Sequence, residues 1–315
     1  MTHWTGQDIP DLAGKIFVVT GANSGLGCES TLALAQHGAT VVMACRDPER
    51  ARAARDAIKT AVPAAKLELI ALDLADLQSI RGFAETFGRQ YDRLDVLLNN
   101  AGVMGCARGT TRDGFEAQFG VNHLGHFALT GLLLDVLLHT PASRVVTVSS
   151  RMHTSGSIAW DDPMGERRYG PWRAYKQSKL ANLLFTFELD RRLTARGATT
   201  RTLAAHPGLA ATPGPANNQT GLMKHLAAAV YLLMAQRAAM GALPLLYAAT
   251  DARAQGGGYY GPERDTRGYP VATRASDAAR DEVDAGRLWA LSEELTGVRY
   301  DALEPRAAPD RQRAG

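Results

Sequence analysis

From residue 15 to about residue 205 the chain alternates short runs of β-branched and aliphatic residues with longer stretches whose apolar positions recur at helical spacing. The runs IFVVT (16–20), TVVMA (40–44), LELIAL (67–72), LDVLLN (94–99), RVVTVS (144–149) and TTRTLA (199–204) are mostly continuous rather than alternating, as expected of strands covered on both faces. The intervening stretches 26–37, 48–62, 77–89, 114–139 and 174–196 predict helices, with Gly38 and Gly197 placed as C-terminal stops. This alternation predicts an α/β fold: a Rossmann-type, doubly wound parallel sheet with right-handed crossovers and helices on both faces. No linker interrupts it, so a single domain is expected.

After residue 206 the pattern changes. PGLAATPGPANNQTG (207–221) precedes two apolar helical segments, 222–234 and 237–249. A catalytic unit is expected over 1–265, with a substrate lid at about 209–240. The remainder, 266–315, reads as a C-terminal extension with a helix over 276–297 and a disordered tail from Glu304; GGGYYGP (256–262) predicts a last short strand.

Composition narrows the function classes. The 315 residues are 45% hydrophobic and 21% charged, which argues against disorder and low-complexity scaffolding. Net charge is only +3 and both signs are interleaved, so no basic stripe points to nucleic acid. Cys28, Cys45 and Cys106 are widely spaced without a CxxC pair, so no metal site and a reducing compartment are expected. The first ten residues hold no apolar run, and LAAAVYLLM (226–234) is far below the roughly 20 residues of a spanning helix, so a cytoplasmic location without stable membrane insertion is the expectation.

The first strand runs into Thr20-Gly21-Ala22-Asn23-Ser24-Gly25-Leu26-Gly27 and then a helical pattern. Glycines there let the backbone turn tightly and approach a pyrophosphate, which the helix N–H groups and positive dipole end attract. A dinucleotide site follows; the alternative is a tight turn with no ligand. With Asn99-Asn100-Ala101-Gly102 after the fourth strand and Tyr175-xxx-Lys179 later, the chain resembles the short-chain dehydrogenase/reductase family over roughly residues 13–265. The wording Ala44-Cys45-Arg46-Asp47, Leu72-Asp73-Leu74, Val121-Asn122-His123 and His206-Pro207-Gly208 is most similar to its retinol-dehydrogenase-like and WW-oxidoreductase-like branch.

That resemblance implies a nicotinamide cofactor held by Gly21, Asn23, Ser24, Gly25, Leu26 and Gly27, with Asp73 and Leu74 at the adenine and Asn99, Ala101 and Gly102 along the ribose side. Tyr175, Lys179, Pro207, Gly208 and Thr212 would border the nicotinamide end. Asp73 has a second reading, as the N-cap of the next helix. Where an NAD-preferring relative would carry Asp stands Cys45, followed by Arg46 with Arg50 nearby, and a cation there pairs with a ribose 2′-phosphate. NADP(H) is therefore expected over NAD(H); the alternative leaves Arg46 in solvent and lets Asp47 reach a ribose hydroxyl.

Reducing a carbonyl requires a hydride and a proton, and a tyrosine whose phenolate a nearby ammonium stabilises can supply the proton. Tyr175 and Lys179 lie four positions apart, on one helix face. The resemblance adds Ser150, which would hydrogen-bond the substrate oxygen, and Asn122, whose backbone would hold a water leading from Lys179 to solvent. His123 and His126 read as packing residues. Met152, His153, Trp160 and Trp172 flank the expected site edge and suggest an apolar aldehyde, ketone or alcohol, or mere packing of the segment between Ser150 and Tyr175. A C=C reductase or epimerase, or a non-catalytic NADP(H) sensor, are the competing functions. Family members commonly form homodimers or homotetramers through the two long helices, whose outer faces would carry Leu132, Leu133, Leu183 and Phe187; a monomer covered by the C-terminal segment is the alternative.

Overall fold

The computed structural model describes residues 3–209 and 236–303. Strands β1 (Ile16–Thr20), β2 (Thr40–Cys45), β3 (Lys66–Ala71), β4 (Val96–Asn99), β5 (Arg144–Val148), β6 (Arg201–Ala205), β7 (Tyr259–Pro262) and β8 (Pro270–Ala272) form one sheet in the order β3-β2-β1-β4-β5-β6-β7-β8. All neighbours pair in parallel except β7 and β8. The order reverses between β1 and β4, the place where open α/β sheets bind ligands at their carboxyl edge.

Successive strand residues feed two cores. Phe17, Val19, Val41, Met43 and Leu98 face one side, where α1 (Gly25–Gln36) and α8 (Ala238–Thr250) cover them. Val18, Val42, Leu97 and Val145 face the other, covered by α3 (Leu77–Gln90) and α5 (Gly125–Leu132). Helix α2 (Pro48–Ala61) flanks the β3 end. There the expectation of full burial fails: Leu67 and Ile70 are buried while Lys66, Glu68 and Ala71 are exposed, because β3 is an edge strand.

The continuous helix expected over 114–139 is interrupted. It comprises α4 (Ala117–Phe119), a π turn over Gly120–Leu124, α5, and α6 (Leu134–His139) after a break at Leu133. Close packing accompanies the irregularity: a Cβ at Gly120 would lie 2.5 Å from Thr111 Cγ2, and one at Gly125 2.6 Å from the Leu74 carbonyl. Helix α7 (Pro171–Ala195) begins three residues before its expected start, with Pro171 at its first position.

The C-terminal segment is structural. A 3₁₀ turn (Asp277–Arg280) and α9 (Glu282–Thr296) replace the single helix expected over 276–297, and α9 lies along α7. Trp289 and Tyr300 pack with Phe127 and Phe185, and the Tyr300 hydroxyl donates to the Phe127 carbonyl at 2.7 Å. The apolar residues expected on outer helix faces are instead inside: Leu133 and Leu183 are buried, Leu132 packs on the core, and the Arg280 guanidinium covers Phe187 at 3.7 Å. Of the expected lid, residues 238–240 form the first turn of α8, while 210–235, including Thr212, lie outside the described residues, as does the tail from Glu304. No helix among the described residues is long and apolar enough to cross a membrane.

Candidate active site

The glycine-rich turn is braced from below. The Thr20 hydroxyl accepts the N–H groups of Asn100 and Ala101, both at 2.9 Å, and the Asn100 amide returns a bond to the Thr20 carbonyl at 2.8 Å. Gly21 (φ 66°) and Gly25 (φ 51°) occupy left-handed backbone that favours glycine. At Gly27 a Cβ would collide with the Gly21 carbonyl and lie 2.6 Å from Asn100 Nδ2, so α1 crosses the strand end where only glycine fits. Ser24 caps α1 in an extended conformation without a side-chain bond, leaving first-turn N–H groups for an anion. This donor-lined turn fits a dinucleotide pyrophosphate.

At the end of β2, Cys45 is buried, its thiol pushed up to about 11 by desolvation, whereas Arg46 and Arg50 beyond it are exposed. The Asp47 carboxylate is engaged as the N-cap of α2, accepting from Glu49 and Arg50 N–H at 3.0 and 3.1 Å. Asp76, not Asp73, caps α3. Asp73 is half-buried, and its carboxylate accepts the Ala75 N–H at 3.0 Å, beside the buried Leu74.

Helix α7 sets Tyr175 and Lys179 side by side, with Lys179 Nζ 5.8 Å from the phenol ring centroid. Lys179 is buried, donates to the Val148 carbonyl at 3.0 Å, and has its pKa pushed down to about 8 by desolvation. The Ser149 hydroxyl donates to the Lys179 carbonyl at 2.7 Å and ties β5 to α7. Ser150, next along, is half-buried and accepts the Met152 N–H at 3.2 Å. In the π turn the Asn122 carboxamide closes a reciprocal pair with the Val103 backbone (2.8 and 2.9 Å) and reaches Ser178 Oγ at 2.9 Å. A Cβ on Gly102 would lie 2.9 Å from Asn122 Oδ1 and 3.7 Å from Lys179 Nζ, so these three residues converge at one point. Across the edge, Gly208 (φ 67°) packs against the Thr266 carbonyl, and Gln236 holds the Pro207 carbonyl and the Gly268 N–H.

A family model described as short chain dehydrogenase matches residues 15–222. The chain belongs to the short chain dehydrogenase family. It is 40% identical to human retinol dehydrogenase 13 over 97% of this chain and 92% of that one, and 40% identical to mouse retinol dehydrogenase 12 over 94% and 90%. Its similarity thus falls in the retinol-dehydrogenase-like branch. Among solved structures, an uncharacterised protein from Mycobacterium paratuberculosis superposes with a TM-score of 0.79 at 44% identity, covering 95% of this chain and 99% of that one. A short chain dehydrogenase from Shigella flexneri complexed with NADP gives a TM-score of 0.60 at 25% identity, over 80% and 98%. The chain is accordingly an oxidoreductase with this family's Rossmann-like fold.

Within this short chain dehydrogenase some expected site residues are placed differently. Asn99 is 1% exposed and its amide bonds Thr130 at 3.1 Å, so its side chain points into the core and Asn100 braces the turn instead. Trp160 lies under the Arg287 guanidinium on the core beneath α9. His153 is buried; its Nδ1 faces the Ser150 carbonyl at 2.7 Å and its Nε2 accepts the Ser276 N–H at 3.1 Å, linking Ser150 to the C-terminal segment. Gln118, which carries no signal in the sequence, is fully buried, and His126, expected to pack, also links two elements: its Nδ1 faces the Asn122 carbonyl at 3.0 Å while its Nε2 meets Thr20 Oγ1 at 2.9 Å. His126 and Thr20 stand 106 positions apart, so no local pattern signals that bond.

Proposed function

We propose that the chain is an NADP(H)-dependent oxidoreductase that interconverts an aldehyde or ketone with its alcohol, on an apolar small molecule, with Tyr175 as general acid/base. The observation that carries this reading is the convergence of Lys179, Asn122 and Gly102 beside Tyr175 at the carboxyl edge of the sheet. When bound, the nicotinamide supplies or accepts the hydride. Tyr175 gives its phenolic proton to the substrate oxygen in reduction and takes it back in oxidation. The Lys179 ammonium stabilises the phenolate left behind, and burial strengthens that effect by removing water. Ser150 Oγ donates to the substrate oxygen and orients it. The Asn122 carboxamide fixes the Gly102–Val103 backbone against Lys179, and the Asn122 backbone would anchor the water through which the ammonium regains protons.

NADP(H) over NAD(H) is supported by the exposure of Arg46 and Arg50 and by the engagement of Asp47 as a helix cap, which removes the nearby carboxylate from competition for a ribose hydroxyl. Following NADPH absorbance with a panel of aldehydes, ketones and enones tests the activity. Tyr175→Phe should keep NADPH binding and lose turnover; retained turnover rejects the assignment. NADH binding as tight as NADPH, or tighter, rejects the cofactor preference.

A further inference from the structure

Among the described residues four large hydrophobic side chains are exposed: Val103, Trp172, Val271 and Val283. Two of them stand at the mouth of the site. Val103 follows Gly102 and is pinned through both backbone polar groups to Asn122. Trp172 lies one helical turn before Tyr175, with its ring at 88° to the phenol and 6.2 Å between centroids.

Although Trp172 is 49% exposed, its surroundings are fixed. A Cβ at Gly105, which adopts φ 61°, would lie 3.2 Å from two atoms of the indole's benzene ring, so glycine provides the seat. Gln118 bolts both sides of that seat together: its Oε1 accepts the Gly105 N–H at 2.7 Å and its Nε2 donates to the Pro171 carbonyl at 2.8 Å. Tyr169 adds a bond to the Cys106 carbonyl at 2.8 Å. The exposed part of the indole offers a flat apolar face to a ligand lying against Tyr175.

We propose that Trp172 is a specificity-determining residue, an immobilised aromatic wall that selects carbonyl compounds bearing a planar substituent on the carbonyl carbon over those bearing a puckered saturated one. This rests on the carbonyl reductase reading above. A planar group lies flush on the indole while the oxygen reaches Tyr175 and Ser150; a puckered ring of equal carbon count loses most of that contact.

The test uses the full chain with NADPH and a matched pair, benzaldehyde and cyclohexanecarbaldehyde. Trp172→Ala should lower kcat/KM for benzaldehyde about tenfold and for the saturated partner by no more than about twofold, with the Kd for NADPH unchanged. Trp172→Phe should restore most of the loss, and Gly105→Ala, which displaces the indole, should shift the ratio in the same direction as Trp172→Ala. Equal losses for both aldehydes, or none, overturn the proposal. If the wild-type chain turns over neither, the carbonyl reductase reading fails and binding decides the wall separately. Benzaldehyde quenching of tryptophan fluorescence that disappears in Trp172→Phe then supports it, and undiminished quenching in that variant overturns it.

Discussion

Acid should unfold this chain through its buried histidines. Burial holds His123 at about 3 and His126 and His206 at about 4, against an ordinary value of 6.5. The hydrogen bonds agree with neutral rings. Ser292 Oγ donates to the Leu288 carbonyl, so His123 Nε2 must donate to Ser292 Oγ, and Nδ1 is left buried without a partner. The Asn122 carbonyl can only accept, which places the His126 proton on Nδ1. Because these folded pKa values are depressed, the unfolded chain binds more protons below pH 6.5, and stability present above that pH is lost as pH falls toward 4 and 3. Between pH 7 and pH 5 each ring withdraws about 2 kcal/mol, about 6 kcal/mol for the three, which is comparable to the whole stability of an ordinary domain. His153, also depressed by burial, acts in the same direction. Asp76, Asp95 and Asp251 sit below 3.8, so their losses belong to lower pH. Urea unfolding at pH 7, 6 and 5 measures the slope. His123→Gln keeps a donor for Ser292 and removes one titrating ring, so its pH 7 to pH 5 loss should shrink by about 2 kcal/mol. A wild-type loss under about 1 kcal/mol, or an unchanged loss in the variant, refutes the reasoning.

Lys179, with its pKa near 8, should give NADPH-dependent reduction an alkaline limb as the ammonium is lost. Lys179→Arg should flatten that limb, because a guanidinium does not deprotonate, and Lys179→Met should cut turnover by about a hundredfold or more; a limb unmoved in the Arg variant counts against this role. Its depressed pKa also means that stability rises between about pH 8 and 10.5 in the wild type and not in the Met variant, as denaturant titration would record. Gly27→Ala should force α1 away from the β1 end and weaken NADPH binding at least about tenfold with circular dichroism retained; a wild-type Kd would show that the crossing has room. Tyr300→Phe leaves the Phe127 carbonyl without its buried donor and should cost about 1–3 kcal/mol in urea unfolding while kcat stays near wild type.

The parallel sheet was legible because each strand announces itself locally: IFVVT spans the observed β1, and Gly21 ends it where a left-handed residue is required. Helical spacing puts Tyr175 and Lys179 on one face, and the family resemblance carried by the glycine-rich turn and Asn99-Asn100-Ala101-Gly102 marks that pair out from a chance YxxxK. What escaped depends on partners distant in sequence. The His153 bond to Ser276 spans 123 positions, and the different fates of Asn99 and Asn100 follow from which face of β4 each meets, a distinction that two adjacent asparagines do not reveal. Asn122 within an apolar helical run suggests a kink, but the extent of the interruption over Gly120–Leu124 depends on the packing of Gly120 and Gly125 against Thr111 and Leu74, which is tertiary. The long-helix faces were misassigned because nothing in their own sequence shows that Leu132 and Leu133 pack with α3, or that α9 and Arg280 meet Leu183 and Phe187.

The closure of one core by Trp289, Tyr300 and Leu303 sets an order on biosynthesis. Phe127, Leu134, Phe185, Leu189 and Leu193 leave the ribosome about a hundred or more residues ahead of their last neighbours. Until the final stretch emerges, the nascent chain holds its nucleotide-binding half alongside an unfinished aromatic surface. A stop codon between residues 272 and 289 would therefore leave all eight strands encoded and still yield a product marked for chaperones and proteases.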